Sequence, residues 1–162
     1  MLSADVKRAL DDPETVRVVS NTDPDGVPHL AFKDSLRLRE DGNLEYEEII
    51  ESSDFNKNMT YSIWFDRSVA IVLLTKDRRS FLIKGRVSRA IISGREFRDH
   101  YVAVRQRLGD VDLSTVWVIE PAFEREETLE KRRVEEEGAH PLLRHIDRLA
   151  QHRDQFDKLK GE

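Results

Sequence analysis

The amino-acid sequence predicts an α+β domain built on a small barrel of six, mostly antiparallel β-strands, with peripheral helices and a helical C-terminal tail. Turn signals separate three short β-type runs in the first third of the chain. A long apolar run at residues 68–75 follows, and segments with helical spacing are inserted after the third and fifth strands. This alternation is typical of a small barrel flanked by helices. A chain of 162 residues suffices for one domain with a substantial core.

The first elements are predicted to be a helix and an antiparallel meander. Leu2–Asp12 is predicted to be helical, with Ser3 as its N-cap and Pro13 ending it. Turns at DPDG and EDGN follow, where glycine supplies the positive φ that such turns need. They separate three predicted strands, which are Val16–Asn21, Pro28–Arg39 and Leu44–Ile50. Strands joined by tight turns predict an antiparallel arrangement.

A short helix is predicted after the third strand. Phe55, Met59 and Ile63 have helical spacing, so Asp54–Trp64 is predicted to be one helix with Ser53 or Asp54 at its N-cap, and with Trp64 in the core. Its N-terminal residues are rich in hydrogen-bond donors.

The remaining elements alternate strands and helices. Ser68–Thr75 is predicted to be a strand buried on both faces, and SFLIKGRVSRAII is the next strand. A helix beginning at Ser93 or Gly94 is closed by Gly109, and Ser114–Pro121 is the last predicted strand. Two charged helices are then expected, at Phe123–Glu137 and His140–Leu159. We therefore predict a barrel domain at residues 1–123 and, at residues 124–162, a charged helical extension that packs on the barrel or on a partner subunit.

Composition excludes several classes of function. The net charge is −5, which gives no general attraction to nucleic acid or to anionic membranes. There is no cysteine, which excludes disulfides, thiolate metal sites and cysteine catalysis. The five histidines lack metal-ligand spacing, so no metal site is predicted. No signal peptide or membrane-spanning run is evident, so we expect a soluble, cytoplasmic protein.

Four stretches carry a resemblance to a known family: VRVVSNTDPDGVPHLAF, DGNLEYEEIIESSDFNKNM, SVAIVLLTKDRRSFLIKGRV and STVWVIEP. In order and spacing, over Glu14 to Pro121, the chain resembles the FMN-binding split β-barrel family, the pyridoxamine 5′-phosphate oxidase-like proteins. The resemblance implies an FMN site between two subunits and therefore a homodimer. A dimer is also expected because the apolar last-strand residues Val116, Trp117 and Val118 must be covered.

The resemblance implies that the FMN phosphate lies at the entrance of the helix that begins at Asp54. A helix N-terminus offers unsatisfied N–H groups and a partial positive charge. By resemblance, Lys57 grips the phosphate, helped by Ser53, Asn56 and Asn58. The alternative is that Ser53 only caps a surface helix and Lys57 is solvated. Four acids close in sequence would oppose a dianionic phosphate, namely Glu47, Glu48, Glu51 and Asp54.

Five further residues are implied in flavin contact. Lys33, Asp34 and Ser35 lie where the family presents polar groups to the isoalloxazine ring, although Asp34 equally suits a barrel mouth or a dimer seam. Ser80 occupies the position of a flavin-contacting side chain, or else faces water at a strand edge. Trp117 lies on the strand that reaches the flavin of the other subunit, or else packs in the core or interface.

The sequence therefore favours a homodimeric FMN-binding protein, with flavin-dependent oxidoreductase activity on an unknown substrate. No acid/base constellation identifies catalytic residues. The C-terminus lacks the Arg-containing segment, ending in proline, of true pyridoxamine phosphate oxidases, so oxidation of vitamin B6 is not expected. Two alternatives remain: a non-enzymatic dimer that has lost flavin and serves as a binding or stress-associated protein, and a related barrel that uses haem or a deazaflavin.

Overall fold

The computed structural model describes residues 2–140, which form four helices and seven strands. The helices are α1 (Ala4–Asp11), α2 (Asp54–Trp64), α3 (Gly94–Leu108) and α4 (Leu129–Ala139). The strands are β1 (Val16–Thr22), β2 (Pro28–Phe32), β3 (Arg37–Leu38), β4 (Leu44–Glu48), β5 (Ser68–Leu74), β6 (Ser80–Ile91) and β7 (Thr115–Glu126). The chain divides after Glu126 into two units, and α4 belongs to the second. The predicted α+β class is confirmed, with seven strands in place of six.

The seven strands form one antiparallel sheet in the order β2-β1-β5-β6-β7-β4-β3. Its two edge strands, β2 and β3, are consecutive in the chain and are joined only by residues 33–36. This link spans at most roughly 18 Å, whereas the edges of a flat seven-stranded sheet would be roughly 29 Å apart. The sheet must therefore curl, which brings the ends of β2 and β4 to the same place.

Two apolar cores lie on opposite faces of the curled sheet. Alternation along β7 divides its side chains between them, because successive residues of a strand face opposite sides. Trp117 and Ile119 belong to the core inside the barrel, and Val116 and Val118 pack under α3 with Val104. The sequence-based reason for a dimer is therefore wrong, since the apolar residues of the last strand are covered within the chain.

The predicted strand Pro28–Arg39 is interrupted. β2 ends at Phe32, and a turn over residues 33–36 follows, in which the Leu36 N–H donates to the Lys33 carbonyl at 3.0 Å. The alternation of Ser35–Arg39 did predict β3, but periodicity carries no signal for a turn that lets the chain cross between the sheet edges.

The last strand is longer than predicted. β7 continues through Pro121 to Glu126, so the predicted helix at Phe123–Glu137 is observed at Leu129–Ala139. Pro121 is tolerated because the pairing with β6 shifts register there, at Lys84/Gly85. Gly85 is required at this point, since a Cβ would lie 2.4 Å from the Glu120 carbonyl oxygen. The predicted helix His140–Leu159 lies, from residue 141 onward, outside the described residues.

The termini of α1, α2 and α3 follow the sequence closely, but two burial expectations are wrong. β5 was expected to be buried on both faces, yet its burial alternates and Val72 is 40% exposed. Ser3 caps α1 by accepting a hydrogen bond from the Val6 N–H at 3.3 Å. Trp64, expected in the core, is 79% exposed at the end of α2, because Phe55 and Met59 take up the buried face of that helix. Among the helices of residues 2–140, none is long and apolar enough to span a membrane.

Candidate functional site

The donors at the entrance of α2 are engaged within the chain. The Ser53 hydroxyl accepts a hydrogen bond from the Asn56 N–H at 3.0 Å, as an N-cap does. The Asn56 amide donates to the Glu51 carbonyl and accepts from Trp117 Nε1, each at 2.9 Å. Asn56 and Trp117 are two predicted site residues that are distant in sequence, and the structure brings them together. Their polar atoms hydrogen-bond to each other.

Asn58 also faces inward, whereas Lys57 faces solvent. The Asn58 amide donates to Asn21 Oδ1 at 3.3 Å, and Asn21 in turn donates to the Phe55 carbonyl at 3.0 Å. The Lys57 side chain is 66% exposed, with its ammonium 3.1 Å from Asp54 Oδ1. Of the four predicted phosphate ligands, Lys57 is therefore the one with an exposed side chain, and its surface ion pair with Asp54 can exchange for a ligand.

Two of the four acids expected to crowd this entrance are neutralised elsewhere. Glu47 Oε2 accepts from Arg107 at 2.7 Å, and Glu47 Oε1 lies 3.1 Å from His100 Nδ1 and 3.2 Å from Arg37 Nη2. Glu48 pairs with Lys33 at 2.5 Å. The acids that remain beside the α2 entrance are Glu51 and Asp54, both exposed, and Asp54 pairs with Lys57.

The pKa of Glu47 reflects these partners. Burial of the carboxylate by itself raises its pKa, but the hydrogen bonds from Arg107 and His100 and the charge of Arg37 outweigh burial. The net pKa of Glu47 is lowered, so the group stays ionised at neutral pH.

The turn at residues 33–36 holds three predicted flavin contacts. The Lys33 ammonium lies 4.9 Å above the Tyr46 ring and 4.6 Å above the Phe55 ring, in cation–π geometry. The Ser35 hydroxyl accepts from the Glu47 N–H at 2.9 Å and lies 3.3 Å from the Glu47 carbonyl, so it ties the turn to β4. Asp34 is exposed.

Lys33, Asp34 and Ser35 line a cavity of about 580 Å³ between the turn, β4 and the end of α3. Its apolar walls include Phe32, which is 74% exposed, and Ile50, which is 57% exposed. This volume is within the roughly 300–1,000 Å³ of small-molecule sites, which combine apolar walls with a few polar groups. The cavity reaches Ile50, whose carbonyl accepts from the Ser53 N–H at 3.1 Å, so its rim borders the α2 entrance.

The other two predicted contacts lie elsewhere. Ser80 begins β6 opposite Leu74 of β5 and is partly buried. Trp117 is 3% exposed and lies opposite Tyr46 of β4, inside the barrel. Burial raises the pKa of Tyr46 well above its ordinary range, the charge of Glu48 adds to this, and no group in the described part of the chain hydrogen-bonds its hydroxyl.

The charged cluster between β4 and α3 was missed by the sequence reasoning. It joins Glu45 and Glu47 to Arg37, His100 and Arg107. The signals were present: the acids alternate along LEYEE, and His100 and Arg107 are seven residues apart and so share a helix face. What the sequence lacked was the β4–α3 contact, since it does not indicate which face of the sheet α3 covers.

One group of possible metal ligands lies in this cluster. Side-chain atoms of Glu45, Glu96 and His100 lie within 4.8 Å of one another. Arg39 already bonds both carboxylates, at 2.8 Å from Glu96 and closely to Glu45. A guanidinium therefore supplies the positive charge that a metal would bring.

The chemistry of the donor set fits a flavin in part. The cavity offers apolar walls and a polar edge to a ring system, and neutralisation of Glu47 and Glu48 lowers the repulsion of a phosphate at its rim. Lys57 and the start of α2 are the groups available to that phosphate. Within residues 2–140, the ion pair of Lys57 is with Asp54, an acid, so this end of the site is the weaker one.

Comparison with known proteins places this fold. No protein-family model matches the chain, and no curated protein matches it in sequence. HupZ of Group A Streptococcus is similar in structure, with a TM-score of 0.66 at 17% identity over 80% of this chain and 96% of that one. An FMN-binding protein from Syntrophomonas wolfei has a TM-score of 0.60 at 13% identity, over 77% and 86% of the two chains.

A pyridoxamine 5′-phosphate oxidase-related, FMN-binding protein from Nostoc punctiforme is also similar, with a TM-score of 0.58 at 14% identity, over 80% of this chain and 86% of that one. At these identities the likeness is one of fold. The chain has the split β-barrel fold of the pyridoxamine 5′-phosphate oxidase-like proteins, as the sequence resemblance implied.

Proposed function

We propose that this chain binds a flavin of the FMN type in the cavity beside residues 33–36. The observation that carries the proposal is the cavity itself: three of the residues expected to contact the ring, Lys33, Asp34 and Ser35, line one space of about 580 Å³. Similar split barrels are FMN-binding proteins, which supports this choice of ligand.

Different residues of the chain would contact the ring and the phosphate of the flavin. Phe32, Ile49 and Ile50 would contact the faces of the ring and exclude water, while Lys33 would present a charge held in place by Glu48. Lys57 would meet the phosphate at the start of α2. A bound flavin supplies hydride or electron transfer, and the protein supplies binding, orientation and electrostatics. On this basis we propose a flavin-dependent oxidoreductase.

We also propose that the protein is a homodimer. The reason is an exposed apolar face on β2, β1 and β5, and no longer the apolar residues of the last strand. The outer face of β2, β1 and β5 carries a row of apolar side chains in register: Phe32 lies opposite the half-buried Val18, which lies opposite Val72, and Val72 is 40% exposed. Phe32 is 74% and Leu30 62% exposed, an unusual concentration for a free surface. Because Phe32 also lines the cavity, a second copy on this face would help to close the site.

The visible spectrum of the purified protein is the first test. A flavin gives a yellow preparation with two bands, and protein purified without flavin should acquire them on titration with FMN. A colourless protein that ignores added FMN, or one with a Soret band of haem, would overturn the proposal.

Titration with FMN and with riboflavin separates the two ends of the site. We expect Lys57→Ala to weaken FMN binding about tenfold, as for a lost charged hydrogen bond, and to leave riboflavin binding unchanged because riboflavin has no phosphate. Lys76→Ala is the matched control, since Lys76 is 73% exposed and pairs with Glu14. Equal FMN affinities of wild type and Lys57→Ala would contradict the assigned phosphate end.

Sedimentation tests the dimer. We expect a dimer at micromolar concentration, converted to monomer by Phe32→Asp and unaffected by Trp64→Asp, which places the same charge on another exposed aromatic position. A wild-type monomer would refute the dimer.

A second function is favoured by one observation. Ser53, Asn56 and Asn58 are all engaged in hydrogen bonds within the chain, as expected of a helix cap and a core polar network. A non-enzymatic split barrel without flavin needs no other explanation for these residues. Failure of FMN to bind, together with an intact dimer, would select this second function.

A further inference from the structure

Arg17 is a buried cation with an unusual set of partners. It is 7% exposed, and its Nη atoms donate to three backbone carbonyls: Thr15 and Leu10 at 3.0 Å and Asp12 at 2.7 Å. Its Nε is buried and has no hydrogen-bond partner in the described part of the chain. Within residues 2–140, none of the ion pairs includes Arg17, so its positive charge has no carboxylate beside it.

The carbonyl contacts satisfy only part of this group. Leu10 lies in the last turn of α1, where the helix dipole contributes about half of a negative charge. A buried full charge is costly unless it is paired and all its hydrogen-bonding atoms are satisfied. The three carbonyls engage both Nη atoms, and the Nε N–H remains without a partner in the described chain.

Arg17 lines the same cavity as the turn at residues 33–36. Four of the cavity's lining residues are cations, namely Arg17, Lys33, Arg37 and Arg107. Three are acids, namely Asp34, Glu47 and Glu48. Lys33 pairs with Glu48, and Arg37 and Arg107 with Glu47, so Arg17 is the lining cation that has no acidic partner in the described chain.

We propose that this cavity contains a subsite for a carboxylate group, bound against Arg17. A monoanion matches the one lining cation that has no acidic partner in the described chain, whereas a dianionic phosphate would carry one more negative charge than Arg17 offers. The remaining lining is largely apolar, including Leu10, Leu36 and Leu108. The chemical class is therefore a small carboxylic acid with an apolar body, such as an aromatic acid.

This subsite goes beyond the proposed flavin and does not depend on it. An uncharged ring would not compensate Arg17, and the flavin phosphate is assigned to Lys57, on α2. A small acid could be the flavin's reaction partner, or a ligand of a barrel that has no flavin. Binding of the acid and binding of FMN are therefore measured separately.

The decisive measurement is calorimetric titration of the wild-type protein with benzoate and with benzamide. The two have the same shape and differ in charge, so we expect benzoate to bind about tenfold or more tightly, as for a charged hydrogen bond to Arg17. Equal affinities, or no binding of benzoate, would overturn the proposal. Tighter binding of inorganic phosphate than of benzoate would overturn the choice of a carboxylate.

Two variants locate the charge. Arg17→Gln should abolish the preference for benzoate over benzamide, while Arg86→Gln, an exposed arginine paired with Asp66, should retain it. A preference that survives in folded Arg17→Gln would refute the site. Arg17 also caps α1, and if Arg17→Gln does not fold, the comparison of benzoate with benzamide on the wild type decides the question alone.

If FMN fails to bind and benzoate binds, the flavin proposal fails and the carboxylate subsite stands. If FMN binds and benzoate does not, the reverse holds.

Discussion

The entrance of α2 and the cavity beside residues 33–36 are both polar segments that follow a strand, yet they differ in what their side chains contact. At the α2 entrance, Ser53, Asn56 and Asn58 are used by the chain itself. At the cavity, the Lys33–Glu48 and Arg107–Glu47 ion pairs line one wall of an open space. A polar cluster becomes a candidate site when its partners leave room for a ligand, and hydrogen-bonding capacity alone does not show this.

The largest effect on the free energy of unfolding is expected from substitution of Glu47, the acid at the cavity wall. Its side chain is 2% exposed and contacts Arg37, His100 and Arg107. Glu47→Gln should lower the free energy of unfolding by about 3 kcal/mol at pH 7, because the buried carboxylate loses its charged hydrogen bonds to Arg107 and Arg37. Urea denaturation measures this. Glu96→Gln, at a side chain that is 40% exposed, is the control and should cost below about 1 kcal/mol.

The same variant predicts a pH dependence. Because the folded-state pKa of Glu47 is lowered, its contribution is present above the unfolded-state value of about 4.3 and is lost as pH falls through the folded-state pKa. The stability difference between wild type and Glu47→Gln should therefore shrink below about pH 4.3. A constant difference down to pH 2 would contradict the assigned ion pairs.

At the α2 entrance, Asn56→Ala should cost about 1–3 kcal/mol, because it leaves the buried Trp117 Nε1 without an acceptor. A double-mutant cycle with Trp117→Phe should give a coupling energy of about 1 kcal/mol, since each variant removes the same hydrogen bond. Additive effects would show that Asn56 and Trp117 act independently, and would reopen a ligand role for the amide.

Matched serine variants compare the two regions directly. Ser53→Ala removes the cap of α2 and should cost about 1 kcal/mol. Ser35→Ala removes the acceptor of the Glu47 N–H and should cost a similar amount, about 1 kcal/mol. Ser52→Ala, at an exposed position, is the control. A Ser53→Ala variant as stable as this control would mean that the hydroxyl is available to a ligand.

The smallest effect on stability is expected from Lys57. Lys57→Ala should change the free energy of unfolding by less than about 0.5 kcal/mol, because the side chain is exposed and its pair with Asp54 lies on the surface. A loss above 1 kcal/mol in thermal or urea denaturation would show that Lys57 is structural and weaken its assignment to the phosphate.

Local patterns were sufficient for much of the fold. The caps at Ser3 and Ser53, the bounds of α2 and the two hairpins β1–β2 and β3–β4 follow from side-chain chemistry within a few residues. The predicted three-stranded meander is wrong, because the sheet places these two hairpins at opposite edges. Lys33, Asp34 and Ser35 were proposed as ligand contacts from a resemblance, and the structure places them at one cavity. The tight turn between β2 and β3 was not predicted, because it depends on curling of the whole sheet.

What the sequence alone determined is the alternation of strands and helices and the identity of the helix caps, since these depend on neighbours in the chain. The tertiary structure decided that Asn56 contacts Trp117 and that Glu47 and Glu48 are neutralised away from α2. It also decided that Arg17 lines a cavity and, among residues 2–140, has no acidic partner. Each of these pairs residues from separate elements, and such contacts follow from how the sheet closes on itself, which no local periodicity encodes.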